Sequence, residues 1–274
     1  MTGAADRDLF WVSFWLYLAA FLLFSLYAAV RRRPVGIVAT TLFAGAFGLH
    51  SAGLAARWII TTHPPFSTMY EYALTMSWAV SLSFIVIASR LRRMALGVVV
   101  SPVLVLVLVI ASMLPKEASQ ALMPALHSYW FYIHVTLAAI AEGAFIVAAG
   151  AGIVYLVRRG ASAETAKESL PSRDLLEEVM ERALRIGFPL FTIGALFAGS
   201  IWAQYAWGSF WSWDPKETGS LVLWLYYTLI LHQNVRGKWR GRTLAVLAIV
   251  GLGIAILSFL GNLFFGGLHA YTGE

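Results

Sequence analysis

Cysteine is absent from the 274-residue chain, so no disulfide, thiolate metal site or thiol relay can be built from its own residues. Charge is scarce as well: Asp, Glu, Lys and Arg fill 12% of positions, about half the share usual in a soluble domain. With 59% hydrophobic residues, the chain has no soluble core large enough to hold its apolar side chains, and lipid must solvate much of its surface. No internal repeat and no second compositional region is present, so residues 1–274 read as one domain. The net charge of +6 would suggest nucleic acid in a soluble protein. Here the basic residues sit in short clusters between apolar runs, a topology signal that leaves no reason to invoke a nucleic-acid partner. The first apolar run lacks a basic segment before it and is long enough to span, so it reads as a membrane helix and not as a cleavable signal peptide.

A spanning helix needs about 20 mostly apolar residues. Eight such stretches are present: Leu9 to Val30, Val35 to Ile60, Met69 to Ser89, Met94 to Leu114, Trp130 to Val157, Ile186 to Tyr205, Thr218 to Gln233 and Thr243 to Phe265. The seventh is short and needs its flanking aromatics to reach across. Pro102 and Pro189 fall inside two spans, where neighbouring helices can satisfy the freed backbone groups. The fold class is therefore all-α, a polytopic membrane protein with about eight transmembrane helices.

Lys and Arg set the orientation. Sixteen lie in the loops that hold Arg31 to Arg33, Arg90 to Arg93, Arg158 to Arg185 and Arg236 to Arg242. Only Arg7, Arg57, Lys116 and Lys216 lie on the other side. The positive-inside rule places the first set in the cytoplasm, which makes both termini external. The loop 158–185 is the one strongly polar stretch, with six basic and six acidic residues, and Asp174 to Arg185 fits a short surface helix.

Aromatic residues crowd against this background in Trp207-Gly208-Ser209-Phe210-Trp211-Ser212-Trp213-Asp214-Pro215-Lys216-Glu217, on the external side between the sixth and seventh spans. One reading is an aromatic belt, since Trp is enriched at membrane interfaces. The other is a platform for a flat, conjugated, amphipathic ligand: rings stack on its faces and charges meet its polar edge. Three Trp and a Phe within seven residues exceed what anchoring needs, and an anchor has no use for Asp, Lys and Glu beside them. Asp214 followed by Pro215 also fits the opening of the seventh helix, as N-cap and first residue.

Six histidines accompany the motif: His50, His63, His127, His134, His232 and His269. His134 falls near the external mouth of the fifth span and His269 just beyond the external end of the eighth. His63 and His127 are external as well. His50 lies in the outer half of the second span, and His232 near the cytoplasmic end of the seventh. Imidazoles without cysteine and with few nearby carboxylates suit haem iron better than zinc. Glu142, mid-way along the fifth span, is either neutral or paired with a histidine such as His50. Arg57 either snorkels to the external surface or meets a ligand carboxylate. His127 and His134 are seven residues apart and share a helix face if the helix starts early, which makes His127 a rival of His134. His63, beside two prolines, either shapes a turn or serves as a ligand.

The motif Trp207 to Glu217 resembles the tryptophan-rich "WWD" signature of membrane haem-handling proteins, in the form found in the CcsA (ResC) family of System II cytochrome c biogenesis. Three further segments are similar to that family in the same order: His63-Pro64-Pro65-Phe66-Ser67-Thr68-Met69-Tyr70-Glu71, Ser128 to Val135 with Ile133-His134-Val135 at its end, and Gly267-Leu268-His269-Ala270-Tyr271. Thr68 stands where the family usually has Asn, and Ala270 where it has Ser. Neither change removes a ligand.

The resemblance implies a membrane subunit of a cytochrome c synthase that moves haem b to the external face and presents it for thioether attachment to a CxxCH apocytochrome c. It implies a CcsB/ResB-type partner and an external thiol-reducing protein. The membrane would be the plasma (inner) or the thylakoid membrane. By position in the motifs, His134 and His269 would be the external axial ligands of the iron. His232 would hold haem on its way through the bilayer. Trp207, Trp211 and Trp213 would hold the macrocycle. Lys216 would meet a propionate, or alternatively pair with Asp214 or Glu217, and Asp214 would flank the site. Two other functions fit parts of the sequence: a haem exporter that loads a chaperone without forming thioethers, and an ion-coupled transporter using Glu142 and the histidines.

Overall fold

The computed structural model describes residues 5–30, 32–91, 96–114, 124–158, 171–265 and 268. Among them the regular structure is helical throughout. The long helices are α1 (Ala5–Val30), α2 (Arg33–Thr61), α3 (Met69–Leu91), α4 (Gly97–Met113), α5 (Tyr129–Val157), α6 (Arg173–Trp207), α7 (Pro215–Val235) and α8 (Gly241–Phe265). A single 3₁₀ turn, Pro124–Leu126, precedes α5. Helices α1, α2, α3, α5, α6 and α8 are long and apolar enough to cross a membrane, and α4 is a shorter apolar helix. The chain is thus a polytopic all-α membrane protein. Each of the eight expected spans lies on a helix in its described part.

Helix α5 is the central post, packed against α3, α4, α6 and α8. It is rich in small residues, and Ala141, Gly143, Ala144, Ala148, Ala149, Ala151 and Gly152 are buried. Small side chains let helix backbones approach closely where no hydrophobic effect drives association. A Cβ on Gly143 would lie 2.8 Å from the Ala79 backbone of α3, and one on Gly152 would lie 2.8 Å from the Ala245 carbonyl of α8. Helices α1 and α2 form a pair that reaches the rest through α3 and α4.

The stretch expected as a separate surface helix in a polar loop is instead the first part of α6, which runs unbroken for 35 residues. Ser172 opens it by accepting the Leu175 N–H at 3.2 Å. Glu178–Arg182 and Glu181–Arg185 pair across one turn at 2.6 and 3.0 Å, which solvates one face. Leu176, Val179, Met180, Ala183 and Leu184 recur at helical spacing and are buried on the other. That amphipathic stripe docks α6 beside α5, so nothing forces a break between the polar segment and the span. Further along, α6 contains one π-helical segment, Thr192–Ala198, beginning three residues after Pro189.

Arg57 does not snorkel. It is 1% exposed, with Nη1 3.0 Å from Asp6 Oδ2 and Nε 3.0 Å from Glu71 Oε1, and it lies over the Tyr70 ring. One cation thus joins the start of α1, the end of α2 and the start of α3. A buried guanidinium needs such charged partners, because leaving water costs several kcal/mol per ion.

Candidate functional site

Where α5, α6, α7 and α8 converge with the turn before α3, the bundle opens into a cleft. It holds about 1060 Å³ of space between atoms, the solvent at its mouth included. Its lining divides into an aromatic part, with Phe66, Phe131, Trp202, Trp207 and Trp211 around His134, and a polar part with Tyr72, Glu142 and Lys216.

His134 stands on the second turn of α5 and is held from two sides. Its Nδ1–H donates to the Gly194 carbonyl at 2.9 Å. A carbonyl only accepts, so Nδ1 carries the hydrogen, and in the neutral ring Nε2 carries the lone pair. A backbone carbonyl on the other ring nitrogen is the usual way a metal-ligating imidazole is oriented. Gly194 belongs to the π-helical segment, a distortion frequent at functional sites. The ring also stacks on Trp202. Gly199 completes the fit, since a Cβ there would lie 3.0 Å from Nδ1.

Trp202 is itself fixed. It is buried, its Nε1–H donates to Ala125 O at 2.8 Å, and it packs on Phe131 and Trp207. Phe131 in turn meets Phe66. Phe66 is followed by Ser67, whose N–H and Oγ–H donate to Glu71 Oε2 at 2.9 and 2.7 Å. The Asp6–Arg57–Glu71 cluster therefore positions one wall of the cleft.

The tryptophan-rich segment is shaped by the start of α7. Asp214 is its N-cap, accepting the Lys216 N–H at 3.0 Å on Oδ2, with Pro215 first in the helix and Glu217 completing a capping box. Glu217 Oε2 accepts the N–H groups of Ser212 and Asp214, at 2.7 and 3.3 Å, on either side of Trp213. Trp213 sits between them at φ 60°, in the left-handed region that non-glycine residues avoid. Asp214 Oδ1 accepts the Leu268 N–H at 2.7 Å, which ties Leu268, three residues after α8, to this turn. Trp207 and Trp211 line the cleft; Trp213 is 69% exposed and packs edge-on against Trp211.

At the polar part, the Tyr72 hydroxyl donates to Glu142 Oε2 at 2.8 Å. Glu142 therefore pairs with a tyrosine and not with His50. Lys216 lines the same cleft as Glu142.

Other histidines are scattered. His269 lies outside the described residues. His232 is exposed on the last turn of α7, away from the cleft. His127 is exposed in the turn before α5. His63 is buried in the turn after α2, its Nδ1–H donating to Pro64 O at 3.0 Å. His50 is buried beside Tyr17 and faces the Leu74 backbone.

Sequence reasoning missed Trp202, Tyr72, Gly194 and Gly199. Trp202 lies five residues before the motif and was absorbed into an apolar span. Tyr72 lies one residue beyond the segment matched by resemblance, His63 to Glu71. Neither glycine carries any local sign of its role.

An all-α membrane bundle with a histidine oriented by a backbone carbonyl, set in an aromatic cleft with a carboxylate and an ammonium at one end, is the class the geometry defines. Residues 66–269 match the family described as cytochrome C assembly protein. Curated relatives include the cytochrome c biogenesis proteins CcsA of Synechococcus elongatus, 33% identical over 270 residues and covering 81% of this chain and 83% of the relative, and of Porphyra purpurea, 33% identical over 261 residues (80% and 82%). The Chlamydomonas reinhardtii CcsA is 35% identical over 225 residues (80% and 64%). The chain belongs to the CcsA family of cytochrome c assembly proteins. Its fold is similar to a solved cytochrome c haem lyase, CcmF, with a TM-score of 0.68 at 18% identity, over 97% of this chain and half of that one.

Proposed function

We propose that this protein works in cytochrome c biogenesis, holding haem b in the cleft and presenting it for thioether attachment to a CxxCH apocytochrome c. The observation that carries this reading is the Nδ1–H bond from His134 to Gly194, which leaves Nε2 as the iron-binding nitrogen on a residue lining the cleft. Trp207 and Trp211 line the cleft, where their rings can stack on a flat ligand. Trp213, outside the cleft, is placed to meet the ligand's exposed rim or the incoming peptide. His269, one residue beyond the Leu268–Asp214 contact, is the second axial ligand by its motif. Lys216 meets a propionate. Asp214 serves the site through the turn it caps.

In thioether formation the thiol sulfur bonds to one vinyl carbon and its proton ends on the other. No electrons are consumed, provided that iron and thiol arrive reduced. With no cysteine of its own, the protein depends on a thiol-reducing protein on the same side. The contribution of this chain is orientation: a held vinyl group and a held thiol react as if intramolecular. His232, exposed on α7 about 24 Å from the level of Lys216 at 1.5 Å per residue, belongs to a second haem position, shared with a CcsB/ResB-type partner. The cleft side is external, and the membrane is the plasma (inner) or thylakoid membrane. Glu142, which an ion-coupled transporter would use together with the histidines, lines the same cleft as His134, so it needs no separate pathway.

The test is co-expression with a CcsB/ResB-type partner and a CxxCH substrate. Covalent haem on the substrate, lost with His134→Gly, is the expected result. Haem bound by the protein with no covalent product under any partner combination would favour the exporter reading.

A further inference from the structure

Two features of the cleft are unexplained by iron ligation or ring stacking. Trp211 lines the cleft, yet its indole Nε1–H is buried and meets no acceptor. Glu142 places a carboxylate on the wall of a site meant for a ligand that carries carboxylates itself. Glu142 shares the cleft wall with the Lys216 ammonium, its Oε2 accepting the Tyr72 hydroxyl, and Glu217 lines the same cleft with its Oε1 buried and without a hydrogen-bond partner.

We propose that this end of the cleft is a carboxylate-exchange subsite, in which Lys216 and the Trp211 indole N–H receive a carboxylate of the ligand while Glu142 competes with it for the same cation. The inference rests on the haem reading and adds a selectivity and a release device to it. An ammonium in a low-dielectric wall is costly without negative charge nearby, and Glu142 on the same wall supplies it while the cleft is empty. When a propionate enters, two negative charges share one positive charge. The ligand is recognised by its carboxylate but held less tightly than Lys216 alone would hold it. Cargo that must leave with another protein requires that compromise.

The experiment uses the full chain in detergent and two metal-free probes, mesoporphyrin and its dimethyl ester, titrated by fluorescence. Without iron, histidine ligation does not enter. The expected wild-type result is tighter binding of the free acid than of the ester. Glu142→Gln should tighten free-acid binding by about tenfold, the scale of one like-charge contact in a partly screened site, and leave the ester unchanged. Lys216→Met should erase the preference for the acid, and Trp211→Phe should reduce it several-fold. If Glu142→Gln does not accumulate as folded protein, Tyr72→Phe replaces it: a carboxylate deprived of its donor competes harder, so acid binding weakens and ester binding stays. Equal shifts for acid and ester, or weaker acid binding in Glu142→Gln, overturn the subsite while leaving haem binding intact. Failure of the wild type to bind either porphyrin overturns the haem reading and the subsite with it.

Discussion

His134 lies flat against Trp202, with ring centroids 5.7 Å apart and planes within 9°. With Nδ1 bonded to Gly194 and the Trp202 indole tied to Ala125, the imidazole has one orientation before any ligand arrives. Changing His134 to Gly should therefore lose haem or lower its occupancy, and added imidazole should restore part of it, because the stacking slot persists. Gly199→Ala tests the same geometry with the ligand retained: its Cβ presses on the ring, and the Soret position should shift or occupancy fall. His127→Gly should change little. Loss of haem in His127→Gly with an intact spectrum in His134→Gly would overturn the ligand assignment.

Trp213 supports a second test. Its left-handed backbone costs roughly 1–2 kcal/mol. Trp213→Gly should remove that strain and hold or raise thermal stability by about 1 kcal/mol, while cytochrome c maturation falls. A variant that is both less stable and fully active would contradict the role given to this residue.

The buried cluster around Arg57 predicts an asymmetry. Arg57→Met leaves Asp6 and Glu71 buried without their cation and should cost about 3–5 kcal/mol. Neutralising all three, with Asp6→Asn and Glu71→Gln added, should recover much of the loss. Unfolding followed by intrinsic fluorescence in lipid or detergent measures both. A single variant as stable as the wild type would mean that the cluster contributes nothing.

Orientation is tested by labelling. Cysteines introduced at Ser209 and Lys238, in a chain with none of its own, should react with an impermeant thiol reagent from opposite sides of the membrane. Reaction of both from one side would remove the external cleft from the proposal.

His232 tests the second haem position proposed above. His232→Gly should reduce delivery of haem made in the cytoplasm, while haem already in the cleft keeps its spectrum. Simultaneous loss of the cleft spectrum would mean that the two positions are one site.

Much of the architecture was legible because it is written locally. Apolar length marks the spans, and Asp214-Pro215 with Glu217 three residues after the cap opens α7 by bonds between near neighbours. The polar run before Ile186 misled for an equally local reason. Its charges suggested a loop, whereas their i,i+4 pairing and the apolar stripe opposite make it a docked helix continuous with the span.

By itself, the sequence determined that lipid is the solvent and which segments are helical, and it marked out a tryptophan-rich turn accompanied by histidines as the candidate site. Tertiary structure alone decided which partners meet: Arg57 with Asp6 51 residues away, Tyr72 with Glu142 70 residues away, and His134 with the Gly194 carbonyl 60 residues away. Helix formation depends on residues three and four apart, and so it can be read along the chain. The tautomer of an imidazole or the counter-ion of a buried guanidinium depends on which helices pack side by side. That is set by small residues such as Gly143 and Gly152, whose importance appears only when the neighbouring backbone is in place.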